Sequence, residues 1–246
     1  MEKVVNGKTR TVGEVFGAGE QHKGNVVVSW TGGKDGCFAC YNALLDGFNV
    51  THLLYFKDAK RRRSHEIKPE LLAAQSKAMG IPIIHRDFVS YEEEFKKQVR
   101  TLNQNGAGIE GAVFGHIGMH ENLVQRMCSD LDIEGIMPLW NRDSEQIVTD
   151  LIDAGFEVIV VSTKADLMGS EWLGRTIDKE FVAQLRDFNS AIDVCGEFGE
   201  FHSLVIDGPL FKNRIRIVNS EKILKDGYWR LDISKYAIGE EKRNRE

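Results

Sequence analysis

The sequence predicts an α/β protein: a doubly wound parallel sheet followed by a second, smaller α+β domain. Three observations predict it. First, an apolar β-branched run, Val26-Val27-Val28, stops at a glycine-rich turn, Thr31-Gly32-Gly33-Lys34-Asp35-Gly36, and a helically spaced segment follows. Second, apolar strand runs then alternate with helical patterns over short connections as far as Trp140, the signature of parallel βαβ units. Third, beyond Trp140 the alternation gives way to strand runs joined by turns.

In chain order, residues 1–24 read as an N-terminal extension, and 25–140 as the parallel-sheet domain. Asn25 opens the first strand, and Cys37 to Leu45 has helical spacing. A second strand, Val50 to Phe56, runs into a cationic loop, Lys57 to His65. Glu66 to Met79 reads as a helix with Pro69 in its first turn, where a missing N–H does no harm. Ile81 to His85 is the third strand and Tyr91 to Asn105 a charged helix. Gly111 to Gly115, Met119 to Leu131 and Ile133 to Trp140 complete the series as strand, helix and strand. Residues 141–246 form the smaller domain: helix Ser144 to Ala154, strand Glu157 to Ser162, a glycine-punctuated loop, helix Asp178 to Asn189, then strands Phe201 to Ile206, Arg214 to Val218 and Tyr228 to Ile233, with a charged tail.

Composition narrows the class. With 42% hydrophobic and 28% charged residues, the chain has the make-up of a globular protein with a real core. No apolar run approaches the roughly 18 residues of a membrane helix. Four cysteines without a pairing pattern imply a reducing cytoplasm. A net charge of −5 argues against broad nucleic-acid binding.

Strand, glycine-rich turn and helix start together make an anion cradle. Glycines let successive backbone N–H groups converge, the helix N-terminus adds partial positive charge and Lys34 a full one. The stretch is neither a Walker A loop nor GxGxxG. In a doubly wound sheet, ligands lie beyond the strands' C-terminal ends, so the loops after Trp30, Phe56, His85, Gly115 and Leu139 are expected to meet in one crevice. The cations Lys57, Lys60, Arg61, Arg62 and Arg63, and His65 after them, would border it. His116 and His120 are four apart beside Glu121 but lack a third metal ligand. Cys37 and Cys40, one helical turn apart, read as packing. A second polar cluster stands far downstream, Cys195-Gly196-Glu197-Phe198-Gly199-Glu200-Phe201-His202-Ser203, followed by Ile206-Asp207-Gly208-Pro209-Leu210-Phe211. Its carboxylates could bind magnesium, hold an ammonium ion or act as general base.

TGGKDG resembles the SGGKDS signature of the PP-loop ATP pyrophosphatases, Rossmann-like enzymes that adenylate an oxygen and release pyrophosphate. Thr31 keeps the first hydroxyl of that signature; Gly36 loses the last. TGGKDG, RRRSHEI with Leu71-Leu72-Ala73-Ala74-Gln75 downstream, AVFGHI, PLWNRD, LGRTID and CGEFGEFHSLVIDGPLF occur in an order similar to the diphthine–ammonia ligase family, over about residues 25–212. The resemblance implies ATP with Mg2+ at Ser29, Thr31, Gly32, Gly33, Lys34, Asp35, Gly36, His65 and Gly115, with Asp35 on the metal. It implies Lys34 on the phosphates as a catalytic charge, and Glu197, Glu200 and His202 on the acceptor or ammonia side. The implied reaction adenylates a substrate carboxylate and amidates it with free ammonium. The implied acceptor is diphthine on elongation factor 2, or a small carboxylate; a homodimer is compatible, and no membrane or nucleic-acid partner is expected. His116 stands where the family often has aspartate. Two alternatives stay open: a tRNA-modifying PP-loop enzyme, suggested by the CxxC and the cationic loop, and a nucleotide-binding protein without turnover, suggested by Gly36 and His116.

Overall fold

The structure, a computed structural model, describes residues 22–59 and 67–239. His65, Lys60 to Arg63, most of the N-terminal extension and the end of the charged tail lie outside the described residues.

The first sheet comprises β1 (Asn25–Ser29), β2 (Asn49–Asp58), β3 (Ile83–Phe88), β4 (Ile109–Val113) and β5 (Glu134–Ile136). All its pairings are parallel, in the order β3-β2-β1-β4-β5. Helices α1 (Lys34–Leu45), α2 (Pro69–Met79), α3 (Tyr91–Gln104) and α4 (Glu121–Ser129) make the crossovers. Central β1 shows why its sequence is a continuous apolar run: both faces are covered. Val26 and Val28 join one core cluster with Phe38, Leu44 and Leu72, while Val27 joins the other with Phe95, Val99 and Met127. Sheet order reverses at β1, so the switch point lies between the C-terminal ends of β1 and β4.

Helix α5 (Ser144–Asp153) leads to the second sheet. Its strands are β6 (Glu157–Lys164), β7 (Phe201–Asp207), β8 (Ile215–Lys225) and β9 (Tyr228–Ile238), with α6 (Lys179–Phe188) between β6 and β7. The order is β7-β6-β9-β8 and the pairings are antiparallel. Val158, Val160, Leu204 and Phe201 belong to the same cluster as Val26 and Val28, so one core runs from the first sheet into the second. That continuity fixes β7 against the loop after β1.

Several element boundaries differ from expectation, each for a local reason. Helix α1 begins at Lys34, not Cys37, because Gly33 is its extended N-cap residue. The third strand starts at Ile83: Gly80 closes α2 in the left-handed region and Pro82 cannot donate to the ladder. The fifth strand stops at Ile136, since residues 137–140 form a turn in which the Trp140 N–H reaches Met137 O at 3.1 Å. Strands β8 and β9 run longer than expected, because their exposed, charged positions diluted the apolar signal.

Candidate active site at the switch point

The loop after β1 is held by a buried side chain. Gln75, fully buried on α2, donates from Nε2 to Gly32 O (2.9 Å) and Val205 O (2.8 Å), and its Oε1 accepts from Trp30 Nε1 (3.1 Å). Gly32 sits at φ +81°, and a Cβ there would lie 2.6 Å from Leu72 Cδ2 and 2.8 Å from Gln75 Oε1. Only glycine fits both the angle and the space. From the other side β7 offers its free edge. Val205 N–H donates to Gly32 O (3.1 Å), and the first N–H of α1, on Lys34, donates to Ser203 Oγ (3.1 Å). The geometry of this loop is therefore built jointly by both sheets.

Lys34 departs from its expected placement on the phosphates. Its side chain turns inward, 3% exposed, and its ammonium bonds Asp35 Oδ2 (2.8 Å) and the carbonyl of Cys195, with the Phe201 ring 5.9 Å away. Burial pulls its pKa down, but Asp35, Cys195 and Asp193 outweigh that and raise it, so Lys34 is charged at neutral pH. The direction is set by its partners, the Asp35 carboxylate and the Cys195 carbonyl. The charge it supplies clamps the downstream cluster to α1.

That cluster is folded by two carboxylates. Asp193 Oδ1 accepts from Cys195 N (2.8 Å) and Glu197 N (3.2 Å). Glu200 is 4% exposed, and its oxygens accept from Asp193 N (3.1 Å) and Phe198 N (3.0 Å), so it shapes the loop. His202 lies on β7. One residue out of phase with Phe201 and Ser203 on β7, it projects from the opposite face of the strand. Ser29 Oγ lies 2.9 Å from Tyr91 OH, toward α3.

Glu197 does reach the crevice. Its pKa is raised, first by burial and then by the charge of Asp35, while the Gly118 N–H and Lys34 pull the other way. Asp35 contributes an acceptor of its own: Oδ1 is buried and has no hydrogen-bond partner. A carboxylate oxygen left in that state suits a cation shared with phosphates, the way Mg2+ is usually held. Among the described residues no three His, Cys, Asp or Glu side chains form a metal site by themselves, so such a cation would rely on the nucleotide's oxygens. The end of β4 closes the crevice. Gly115 lies against the Asp35–Gly36 backbone. His116 stacks on Phe114 (centroids 5.9 Å) and faces His120 (5.0 Å); burial, then His120, pushes its pKa down to about 4, so it is neutral.

The structure thus brings Thr31 (exposed, at the lip), Gly32, Gly33, Lys34, Asp35, Gly36, Gly115 and Glu197 around one space. Gln75, Asp193 and Ser203 were not anticipated as site-building residues. Cys37 and Cys40 are buried in α1; burial pushes the Cys37 thiol well up and that of Cys40 to about 12. Among the described residues no helix is long and apolar enough to cross a membrane.

A doubly wound parallel sheet whose switch-point loop starts a helix, closed by a carboxylate loop from a second, antiparallel sheet, defines a two-sheet α/β protein with its candidate site at the switch point. The chain belongs to the diphthamide synthase family: residues 24–135 match the model of the diphthamide synthase N-terminal domain and residues 143–239 that of the C-terminal domain. It is 24% identical over 221 residues to the diphthine–ammonia ligase of Danio rerio, covering 79% of this chain and 86% of that one. It is 22% identical over 222 residues to that of Homo sapiens, covering 79% and 83%. Against that of Schizosaccharomyces pombe it is 25% identical over 218 residues, which is 78% of this chain but only 36% of the longer relative. A solved structure, a predicted subunit of tRNA methyltransferase from Methanocaldococcus jannaschii, covers 75% of this chain and 97% of its own at 15% identity, with a TM-score of 0.41.

Proposed function

We propose that the chain is an ATP-dependent amide ligase of the diphthine–ammonia ligase kind. The observation that carries the reading is the single crevice shared by the N-terminus of α1, the unpartnered Oδ1 of Asp35 and the carboxylate of Glu197, residues far apart in sequence. ATP phosphates would lie on the backbone of Thr31 to Gly36, where helix start and N–H groups favour negative charge. Asp35 would hold Mg2+, which neutralises phosphate charge as pyrophosphate leaves. A substrate carboxylate oxygen attacks the α-phosphorus, and the bond to pyrophosphate breaks. Ammonia then attacks the acyl carbon, AMP leaves, and an amide and a proton result. Glu197, with its raised pKa, is placed to take that proton. Diphthine on elongation factor 2 is the proposed acceptor.

The buried cysteines count against sulfur-transfer chemistry on tRNA, since a thiol pushed up to about 12 supplies little thiolate. A second reading, nucleotide binding without turnover, draws on Lys34: its ammonium is committed to Asp35 and Cys195. One experiment separates them. With ATP, Mg2+, ammonium and diphthine-bearing elongation factor 2, equal amounts of AMP and pyrophosphate should form only when the acceptor is present. ADP and phosphate would sink the ligase reading, and ATP binding with no product would favour the second.

Gly36 offers a graded test. A Cβ there meets only Ser29 O, at 3.4 Å, an ordinary contact. Gly36→Ser should therefore fold normally and return a hydroxyl to the helix start. One added hydrogen bond predicts ATP affinity stronger by about 2–10-fold. Unchanged affinity in a nucleotide titration would mean that the backbone cradle suffices.

A further inference from the structure

Helix α1 has no side-chain cap of its own. Its N-cap residue is Gly33, and its first turn, Lys34-Asp35-Gly36, holds no hydroxyl. The second sheet supplies one. Ser203 on β7 is 6% exposed, and its Oγ accepts from the backbone N–H of Lys34 at 3.1 Å. The same hydroxyl stands beside the phosphate loop. A Cβ on Gly33 would lie 3.6 Å from Ser203 Oγ and 3.8 Å from Thr31 Oγ1, so two hydroxyls flank one stretch of the loop backbone. Strand parity directs Ser203 there. It shares a face of β7 with Phe201, whose ring lies 5.9 Å from Lys34 Nζ, so this face packs on the start of α1. Val205 N–H and Gln75 Nε2 both bond Gly32 O, and the edge of β7 cannot draw back from the loop without breaking them.

We infer that Ser203 is a phosphate-binding residue contributed by the second sheet, its O–H donating to an oxygen of the ATP phosphates. The inference rests on the reading of the crevice as an ATP site. The first N–H of a helix is one of the groups that an anion at the N-terminus takes up, and here Ser203 Oγ already stands on it. A hydroxyl accepts and donates at once. Ser203 accepts from Lys34, and among the described residues its own proton meets no acceptor. A helix cap alone accounts for the accepted bond but leaves that donor over, in a residue with little access to water. A phosphate oxygen beside Gly33 uses it. The Lys34 N–H is then passed on through Ser203 instead of being lost to the nucleotide. Each bond in such a chain polarises the next, and the last one, to an anionic oxygen, is charge-assisted. The second sheet thus supplies the hydroxyl that Gly36 lacks.

The test titrates the full chain with ATP and Mg2+, and separately with inorganic pyrophosphate, by calorimetry well below the melting transition. The parent is compared with Ser203→Ala and Ser203→Thr. Ser203→Ala should weaken both ligands by about tenfold or more, as loss of a bond to a charged group does. Ser203→Thr keeps the hydroxyl on a strand, where β-branched residues are at home, and should restore most of the affinity. A residue that only caps α1 would lower the melting temperature of Ser203→Ala and leave the affinity of the folded protein as it was. Affinity equal to the parent's in Ser203→Ala would therefore overturn the assignment and leave the ATP site standing. Weaker ATP with unchanged pyrophosphate would move the contact off the phosphates and overturn it as well, as would Ser203→Thr binding no better than Ser203→Ala. A parent that binds neither ligand would remove the ATP reading itself, and this inference with it.

Discussion

Lys34→Ala is expected to lower stability by about 2–4 kcal/mol in the absence of any nucleotide. The reason is what the alanine leaves behind. Lys34 Nζ bonds Asp35 Oδ2 at 2.8 Å and the Cys195 carbonyl, and all three groups lie at the contact between α1 and the Cys195–Phe201 loop. Removing the ammonium strands a carboxylate whose other oxygen is already without a partner. Breaking a buried pair from one side costs more than the pair contributes, because the remaining charge stays desolvated. The figure is held below that of a fully buried pair because the Asp35 side chain is 31% exposed. Urea unfolding of the apo protein measures it. A double-mutant cycle with Asp35→Asn should return a coupling of about 1–3 kcal/mol, as groups in contact do. If Lys34→Ala unfolded at the parent's midpoint while turnover collapsed, the ammonium would belong on the phosphates and the inward arrangement would be wrong. Turnover should fall with stability, because Glu197 is carried by the loop that Lys34 clamps.

How much of this was legible in the sequence depends on the kind of feature. The parallel sheet was readable because its strands are covered on both faces, so Val26-Val27-Val28 is apolar without alternation. The cradle was readable because few uses other than a tight helix start account for Gly32-Gly33 after such a strand. Direction was not readable. Whether Lys34 points at phosphate or back into the protein turns on a tertiary contact, the Cys195 carbonyl 161 residues downstream, which local sequence does not reveal. Glu197 and Glu200 are the same residue type in one short loop, yet one faces the crevice and the other is used up by backbone N–H groups at Asp193 and Phe198. The left-handed turns at Gly196 and Gly199 decide which is which, and composition does not reveal a turn's hand. For His202 the deciding fact is strand parity, which only the start of β7 fixes. Gln75 left a faint signal. It occupies an apolar-stripe position of α2, with Leu71 four before it and Ala78 three after, and a polar residue buried in such a stripe must bond something.

Gly115→Ala is the second large effect, and it acts on backbone instead of charge. A Cβ at residue 115 would lie 2.6 Å from both Asp35 C and Gly36 N, and 2.8 Å from Asp35 O. These are main-chain atoms in the first turn of α1, so no side chain can swing aside. The end of β4 and the start of α1 must separate, at a cost of about 1–3 kcal/mol for overpacking. More than stability is at stake, because the displaced atoms are the cradle itself. Hydrogen bonds to a phosphate depend steeply on distance and angle, so ATP affinity should drop by about tenfold or more. Gly118→Ala is the control: it lies in the same loop, a Cβ there meets nothing within 4 Å, and its N–H toward Glu197 survives the substitution. Urea unfolding and nucleotide titration on the two variants should therefore diverge, with Gly118→Ala close to the parent in both. Should Gly115→Ala match Gly118→Ala, β4 does not press on the helix start, and the crevice is not set by the approach of those two backbones.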